Sequence, residues 1–276
     1  GDAAVHAARI AAGLELVLAV VLLSGVDGTV SIFQFVEQIT LGGFSLYHAG
    51  ADGLTALFVL LAAFIVFVLT LYGLVRGLAS AGKLSAAILA AESATMVMLT
   101  TLDLAWFAAA SAADLAIVAF LIGRWSTSTE ENRTLAMARF VQFQGTGLLL
   151  FLAGVIVVTW GHADAVGRWT FDLLELRTTP PQGRFESVAF FLLFYGLAVR
   201  TPLFPLHGWL PHVAHRGMVA VAPALLLGIK VGIYGTLRFV LPLAPQAAAA
   251  WQHFVVGFAM AGVFYAAVLA LLQGNL

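Results

Sequence analysis

A chain of 276 residues that is 62% hydrophobic and only 10% charged, with a mean hydropathy of +1.00, stands far from soluble domains, which carry about 25% charged residues. Its formal net charge of -1 excludes an electrostatic nucleic-acid partner, and the absence of cysteine excludes disulfides, thiolate nucleophiles and cysteine-held metal clusters. The apolar runs are continuous and about 18 to 24 residues long, enough for a helix to cross about 30 Å of hydrocarbon, so the expected fold is an all-α polytopic transmembrane helix bundle and not a barrel.

About eight spans are predicted, near residues 8–26, 52–75, 84–101, 104–123, 134–159, 185–200, 218–239 and 250–272. The first is read as a span and not as a signal peptide, because many spans follow and no small-residue cleavage site stands out. Basic residues set the orientation. Arg76, Lys83, Arg124, Arg133, Arg139, Arg200 and Arg216 fall on one side, and Arg168, Arg177, Arg184 and Arg238 on the other; the richer side is placed in the cytoplasm or its equivalent. Residues 160–184 mix Asp164, Arg168, Asp172, Glu175 and Arg177 with Trp169, Phe171 and Leu173 before Pro180 and Pro181. They are expected to form an extramembrane loop with a short amphipathic piece. The rest of 1–276 reads as a single transmembrane domain.

Ionisable residues within spans are the informative ones, because each costs about 2.5–3.5 kcal/mol to insert and has to be offset by an inward-facing partner, by water or by a role in ion transfer. In chain order, Glu15 lies within the first span and is read as a neutral or snorkelling carboxyl. Glu92 and Asp114 fall near span centres, whereas Asp103, at the tight turn in TTLDL, is expected to cap or form that turn. The GTG at residues 145–147 sits in an apolar span and reads as helix packing, not as a nucleotide loop.

Between two spans, residues 200–223 read RTPLFPLHGWLPHVAHRGMVAVAP. Prolines at 202, 205 and 211 forbid a continuous helix, so irregular backbone must pack against protein or line a watery cavity. His207, His212 and His215 fall in this segment, at spacings that fit no defined zinc motif; they suit a proton relay, or sit at the interface bonded to carbonyls. Lys230 follows at the centre of a span, flanked by Gly228, Gly232 and Gly235 after Pro223. Two readings stay open for it. It forms a structural ion pair with Glu92 or Asp114, or it exchanges protons where this span is broken or thinly packed and water enters.

The stretch TPLFPLHGWLPHVAH followed by LLLGIKVGIYGTLRFVLPL resembles the signature of the antiporter-like, proton-translocating membrane subunits of the respiratory complex I family, chain 4 type. YHAGADGLTALFVLL at residues 47–61, LDLAWF at 102–107, FLIGRW at 120–125 and ALLQGNL at 270–276 agree in order, so the resemblance covers most of the chain. It implies discontinuous helices, near residues 200–239 here, and a chain that is the N-terminal half of a longer subunit. It further implies proton passage through Lys230 as the family's central lysine, His207 as its loop histidine and Glu92 as its acid eleven residues before the LDL aspartate. No cofactor is implied for this chain; iron-sulfur clusters, flavin and quinone are expected in partner subunits, with other membrane subunits, lipid and protons as partners and a bacterial or mitochondrial inner membrane as the location. Two positions depart from the pattern. Counting from LDL or from FLIG puts Ala112 at the family's key glutamate, with Asp114 two residues later, about 200° around a helix and expected to point away unless the helix is locally rewound; Asp114 stays on the expected proton axis with Glu92 and Lys230, and Glu92 becomes the better partner for Lys230. The motif's aspartate after proline is His212. These departures keep two alternatives in view: a subunit of a multisubunit cation/proton antiporter or inorganic-carbon uptake complex, and a structural subunit whose pump has degraded.

Overall fold

The computed structural model of the chain describes residues 2–30, 32–41, 44–71, 81–125, 129–214 and 222–272. In chain order these form α1 (Asp2–Gly25), the strands β1 (Gln34–Leu41) and β2 (Phe44–Ala51), α2 (Gly53–Leu71), α3 (Ala81–Thr100), α4 (Leu104–Trp125), α5 (Glu130–Val166) and α6 (Leu173–Leu176). Then follow α7 (Arg184–Arg200), α8 (Trp209–Ala214), α9 (Ala222–Gly235), a π-helical turn (Thr236–Val240), α10 (Leu241–Leu243), α11 (Pro245–Ala250) and α12 (Gln252–Leu272).

The fold is the expected helix bundle. Among the described residues six helices, α1 to α5 and α12, are long and apolar enough to cross a membrane. The other two predicted spans appear as the shorter α7, of 17 residues, and as α9 continued through the π-helical turn. Helix α5 runs for 37 residues, so residues 160–166, expected in the loop, extend the helix. Gly167 ends it in the left-handed conformation, φ 80°, and donates its N–H to the Ala163 carbonyl, a glycine stop signal.

The departure from an all-helical chain is the antiparallel hairpin β1–β2 between the first two helices. Within QFVEQITL only the last four residues alternate polar and apolar at the period of a strand, and an open sheet edge is tolerated only where water or protein can satisfy it, outside the hydrocarbon. At its start the register shifts between Gln34 and Glu37, and Phe35 takes a positive φ of 51°, as in a bulge.

The hairpin is fastened to the turn between α3 and α4 and to the segment before α6. Leu102 donates its N–H to the His48 carbonyl at 2.8 Å, and Leu173 donates to the Leu102 carbonyl at 2.8 Å. Buried His48 and Asp172 pair through Nδ1 and Oδ2. Asp172 also caps α6 by accepting from Leu174 N–H at 2.8 Å, so within residues 160–184 it is a buried anchor. Asp103 caps α4 as expected, accepting from Ala105 N–H at 2.8 Å and Trp106 N–H at 3.1 Å. Burial holds the Asp103 carboxyl above its ordinary value, against the opposing pull of those N–H groups.

The tightest helix pair is α5 with α7, and glycine makes it possible. A Cβ on Gly196 would stand 2.7 Å from the Phe151 nitrogen and 2.8 Å from the Gly147 carbonyl oxygen, so only hydrogen lets the two backbones approach this closely. Within the GTG at residues 145–147 it is therefore Gly147 that serves packing, while Gly145 faces open space. Phe107, Phe151 and Phe239 join α4, α5 and the π-helical turn, with ring centroids 4.8–6.4 Å apart.

The expected discontinuity near residues 200–239 is present, at positions the structure now fixes. Residues 201–208 form turns, as the prolines require, but Pro211 sits in the first turn of α8, where its missing N–H is no loss. Helix α9 continues unbroken past Lys230, and the irregularity falls later, at the π-helical turn. Its glycines have another use: a Cβ on Gly232 would stand 2.3 Å from Thr201 Oγ1, so Gly232 admits the turn after α7.

Candidate functional site

Helix α4 turns one stripe inward. Phe107, Ser111, Asp114, Val118 and Leu121, spaced by three or four residues, are all buried, whereas Ala112 is exposed on the outer side of this chain. The expectation that Asp114 points away is thus corrected: motif counting gives a position, but facing is set by the stripe.

The partner of Asp114 is Arg200, the last residue of α7. Arg200 Nη2 donates to Asp114 Oδ2, and its Nε donates to the Gly228 carbonyl at 3.2 Å. Arg200 was grouped with loop charges, yet it is buried in this pair. The ring nitrogen of Trp209 donates to the neighbouring Val199 carbonyl at 3.0 Å and packs α8 beneath the pair.

Beside the pair lies a cavity bounded by Ser111, Asp114, Gln144, Arg200 and Gly228. Water centres can occupy about 30 Å³ of it, room for one or two molecules. Asp114 Oδ1 is buried with no hydrogen-bond partner among the described residues. An orphaned carboxylate oxygen beside a water-sized space is a proton acceptor waiting for water. Gly228 and Ile229 line the cavity, and Lys230 follows directly after them, half-buried on α9.

The expected ion pairs of Lys230 do not form. Among the described residues Lys230 is bridged neither to Asp114, which belongs to Arg200, nor to Glu92. Glu92 on α3 is 1% exposed, and both its carboxyl oxygens lack hydrogen bonds among the described residues. The carboxyl that stands against it is Glu15 on α1, without a hydrogen bond of normal geometry.

Of the histidines, His207 packs its ring against Phe204 and Tyr265 at centroid distances of 5.7 and 5.1 Å, with Nδ1 buried and unbonded. His212 lies half-buried in α8. His215 falls outside the described residues, as do Arg76 and Arg216.

A second basic residue that sets the predicted orientation is likewise buried. Arg238, in the π-helical turn, donates through Nη2 to Asp52 Oδ1 at 2.5 Å and Thr55 Oγ1 at 3.1 Å, and through Nε to the Tyr234 hydroxyl at 3.1 Å. That hydroxyl donates to the Leu99 carbonyl at 2.7 Å, tying α2, α3 and α9 together. Burial pushes the Asp52 carboxyl upward, but Arg238 and the Thr55 N–H outweigh it and hold Asp52 below its ordinary value. Neither Arg200 nor Asp52 carried a sequence signal of its role, since their partners lie 86 and 186 residues away.

Residues 103–276 match the family described as NADH:quinone oxidoreductase/Mrp antiporter, transmembrane. NADH-quinone oxidoreductase subunit M of Escherichia coli K12 is 35% identical over 162 residues, 57% of this chain and 31% of that protein. Subunit M of Rickettsia prowazekii is 27% identical over 276 residues, 99% of this chain and 55% of that protein. A chain of respiratory complex I from Thermus thermophilus superposes with a TM-score of 0.76 at 30% identity, covering 89% of this chain and 50% of its own. A chain of the Mrp complex from Dietzia sp. shares the fold, with a TM-score of 0.71 at 20% identity, over 87% of this chain and 44% of its own. The chain spans about a third to a half of the length of these relatives. It is an integral membrane protein, and it belongs to the NADH:quinone oxidoreductase/Mrp antiporter transmembrane family.

Proposed function

We propose that the chain works as an antiporter-like, proton-translocating part of a complex I type NADH:quinone oxidoreductase assembly. The observation that carries this reading is the Asp114–Arg200 pair at bilayer depth, with one carboxylate oxygen left free beside a space for water. A charged residue placed there serves ion transfer by default. Arginine does not release its proton in proteins, so Arg200 acts as a fixed positive charge and Asp114 as the group that gains and loses the proton. Lys230, adjacent in sequence to the cavity wall, is the exchangeable cation of the pathway, with Glu92, His207, His212 and His215 as further proton-carrying groups. Iron-sulfur, flavin and quinone chemistry belongs to partner subunits, whose state reaches this chain through charge and conformation.

The test is NADH-driven proton uptake by inside-out membrane vesicles. Asp114→Asn and Lys230→Ala variants that assemble at wild-type levels are expected to fall to a small fraction of the wild-type rate. Both variants pumping at full rate would sink the proposal in favour of a structural subunit. Uptake that depends on sodium would instead favour a cation/proton antiporter.

A further inference from the structure

We infer that Glu15 of α1 and Glu92 of α3 form a second proton-binding site inside the membrane, a carboxyl dyad that holds one exchangeable proton apart from the Asp114–Arg200 pair. On α1 the buried positions are Ala8, Ala12 and Ala19, and Glu15 stands three residues after Ala12 and four before Ala19, at the middle of that inward stripe. On α3 the inward stripe runs Leu84, Ile88, Ala91, Thr95 and Met98, with Glu92 at its centre. Helices α1 and α3 pack against each other, and the two carboxyls stand side by side between them.

Glu92 is 1% exposed with both oxygens unbonded among the described residues, so no N–H or hydroxyl of those residues stabilises a carboxylate there. Two carboxylates cannot both stay charged side by side out of water, whereas one proton shared between them leaves a single charge and supplies the missing hydrogen bond. The ligand is a proton. No third histidine, aspartate or glutamate joins them among the described residues to complete a metal-ion site, and Lys230 on the adjoining α9 makes no ion pair with either. The site deepens the proposed proton-handling role, on which it rests only for its use. Its proton occupancy can be read without turnover.

Dicyclohexylcarbodiimide reacts with a protonated carboxyl in apolar surroundings and tests the dyad in membranes that hold the assembled protein, with peptide mass spectrometry locating the adduct. Glu92 is expected to be labelled at neutral pH, and equally so in the Asp114→Asn variant. Glu15→Gln, whose amide offers an N–H to an ionised Glu92, is expected to lower the labelling several-fold, and Glu15→Asp to restore it. Absent labelling of Glu92, or labelling indifferent to Glu15→Gln, overturns the dyad. Protection by sodium but not potassium overturns it too, because the site then holds a metal cation. Loss of proton uptake in the vesicle assay with labelling intact would fault the pump and not the dyad.

Discussion

Arg200 and Asp114 meet because each lies on the inward stripe of its own helix, and neither could be left alone: removing one partner of a buried pair strands a charge at a cost of about 3–5 kcal/mol. The facing of these stripes yields a specific expectation. Ala112 occupies the motif position but looks outward, so adding Ala112→Glu to Asp114→Asn is expected to leave proton uptake as low as in the single variant. Recovery of flux would mean that α4 can present residue 112 to the cavity. The inward stripe of α4 was legible in the sequence, since Phe107, Ser111, Asp114 and Val118 keep helical spacing; counting to the motif hid it. Arg200 was not legible, because a pairing across 86 residues depends on how α4 and α7 pack and leaves no local pattern. The neighbour of Glu15 was not legible for a related reason: a lone acid in a terminal span shows no partner until its packing against α3 is known.

At the scale of elements, two joints govern the bundle. Gly196→Ala would drive a methyl group into the backbone of α5, and overpacking of this kind costs about 1–3 kcal/mol. The expected result is a lower midpoint of thermal unfolding in detergent, and an unchanged midpoint would show that α5 and α7 can slide apart freely. The second joint is Asp52 with Arg238. Because the folded protein holds Asp52 below its ordinary carboxylate value, its contribution is complete above the unfolded-chain value and is lost as pH falls through the depressed folded one. Asp52→Asn should therefore destabilise at neutral pH and flatten the acid limb of a stability-against-pH curve. An acid limb identical to that of the wild type would remove this carboxyl from the account. The helices themselves were legible as apolar runs. The hairpin is not legible because it lies between runs, nor is the π-helical turn, because nothing in TLRFV marks one extra residue per turn.

On the scale of the whole molecule, the two sides of the membrane follow from basic residues outside the hydrocarbon, once Arg200 and Arg238 are set aside as buried. The chain contains no cysteine, so an introduced one reports alone. In sealed right-side-out vesicles, Arg168→Cys is expected to react with an impermeant maleimide and Lys83→Cys only after permeabilisation; the reverse pattern would invert the topology. Lengths carry a further consequence. At 1.5 Å per residue the 37 residues of α5 measure about 55 Å, while the 17 residues of α7 beside it measure about 25 Å, against about 30 Å of hydrocarbon. The long rod reaches water at both ends, whereas its short neighbour starts at one surface and stops before the other. Arg200 is the residue at which it stops, so a side chain that would be a surface anchor on a longer helix is stranded below the headgroups and must find its counter-charge sideways, within the protein.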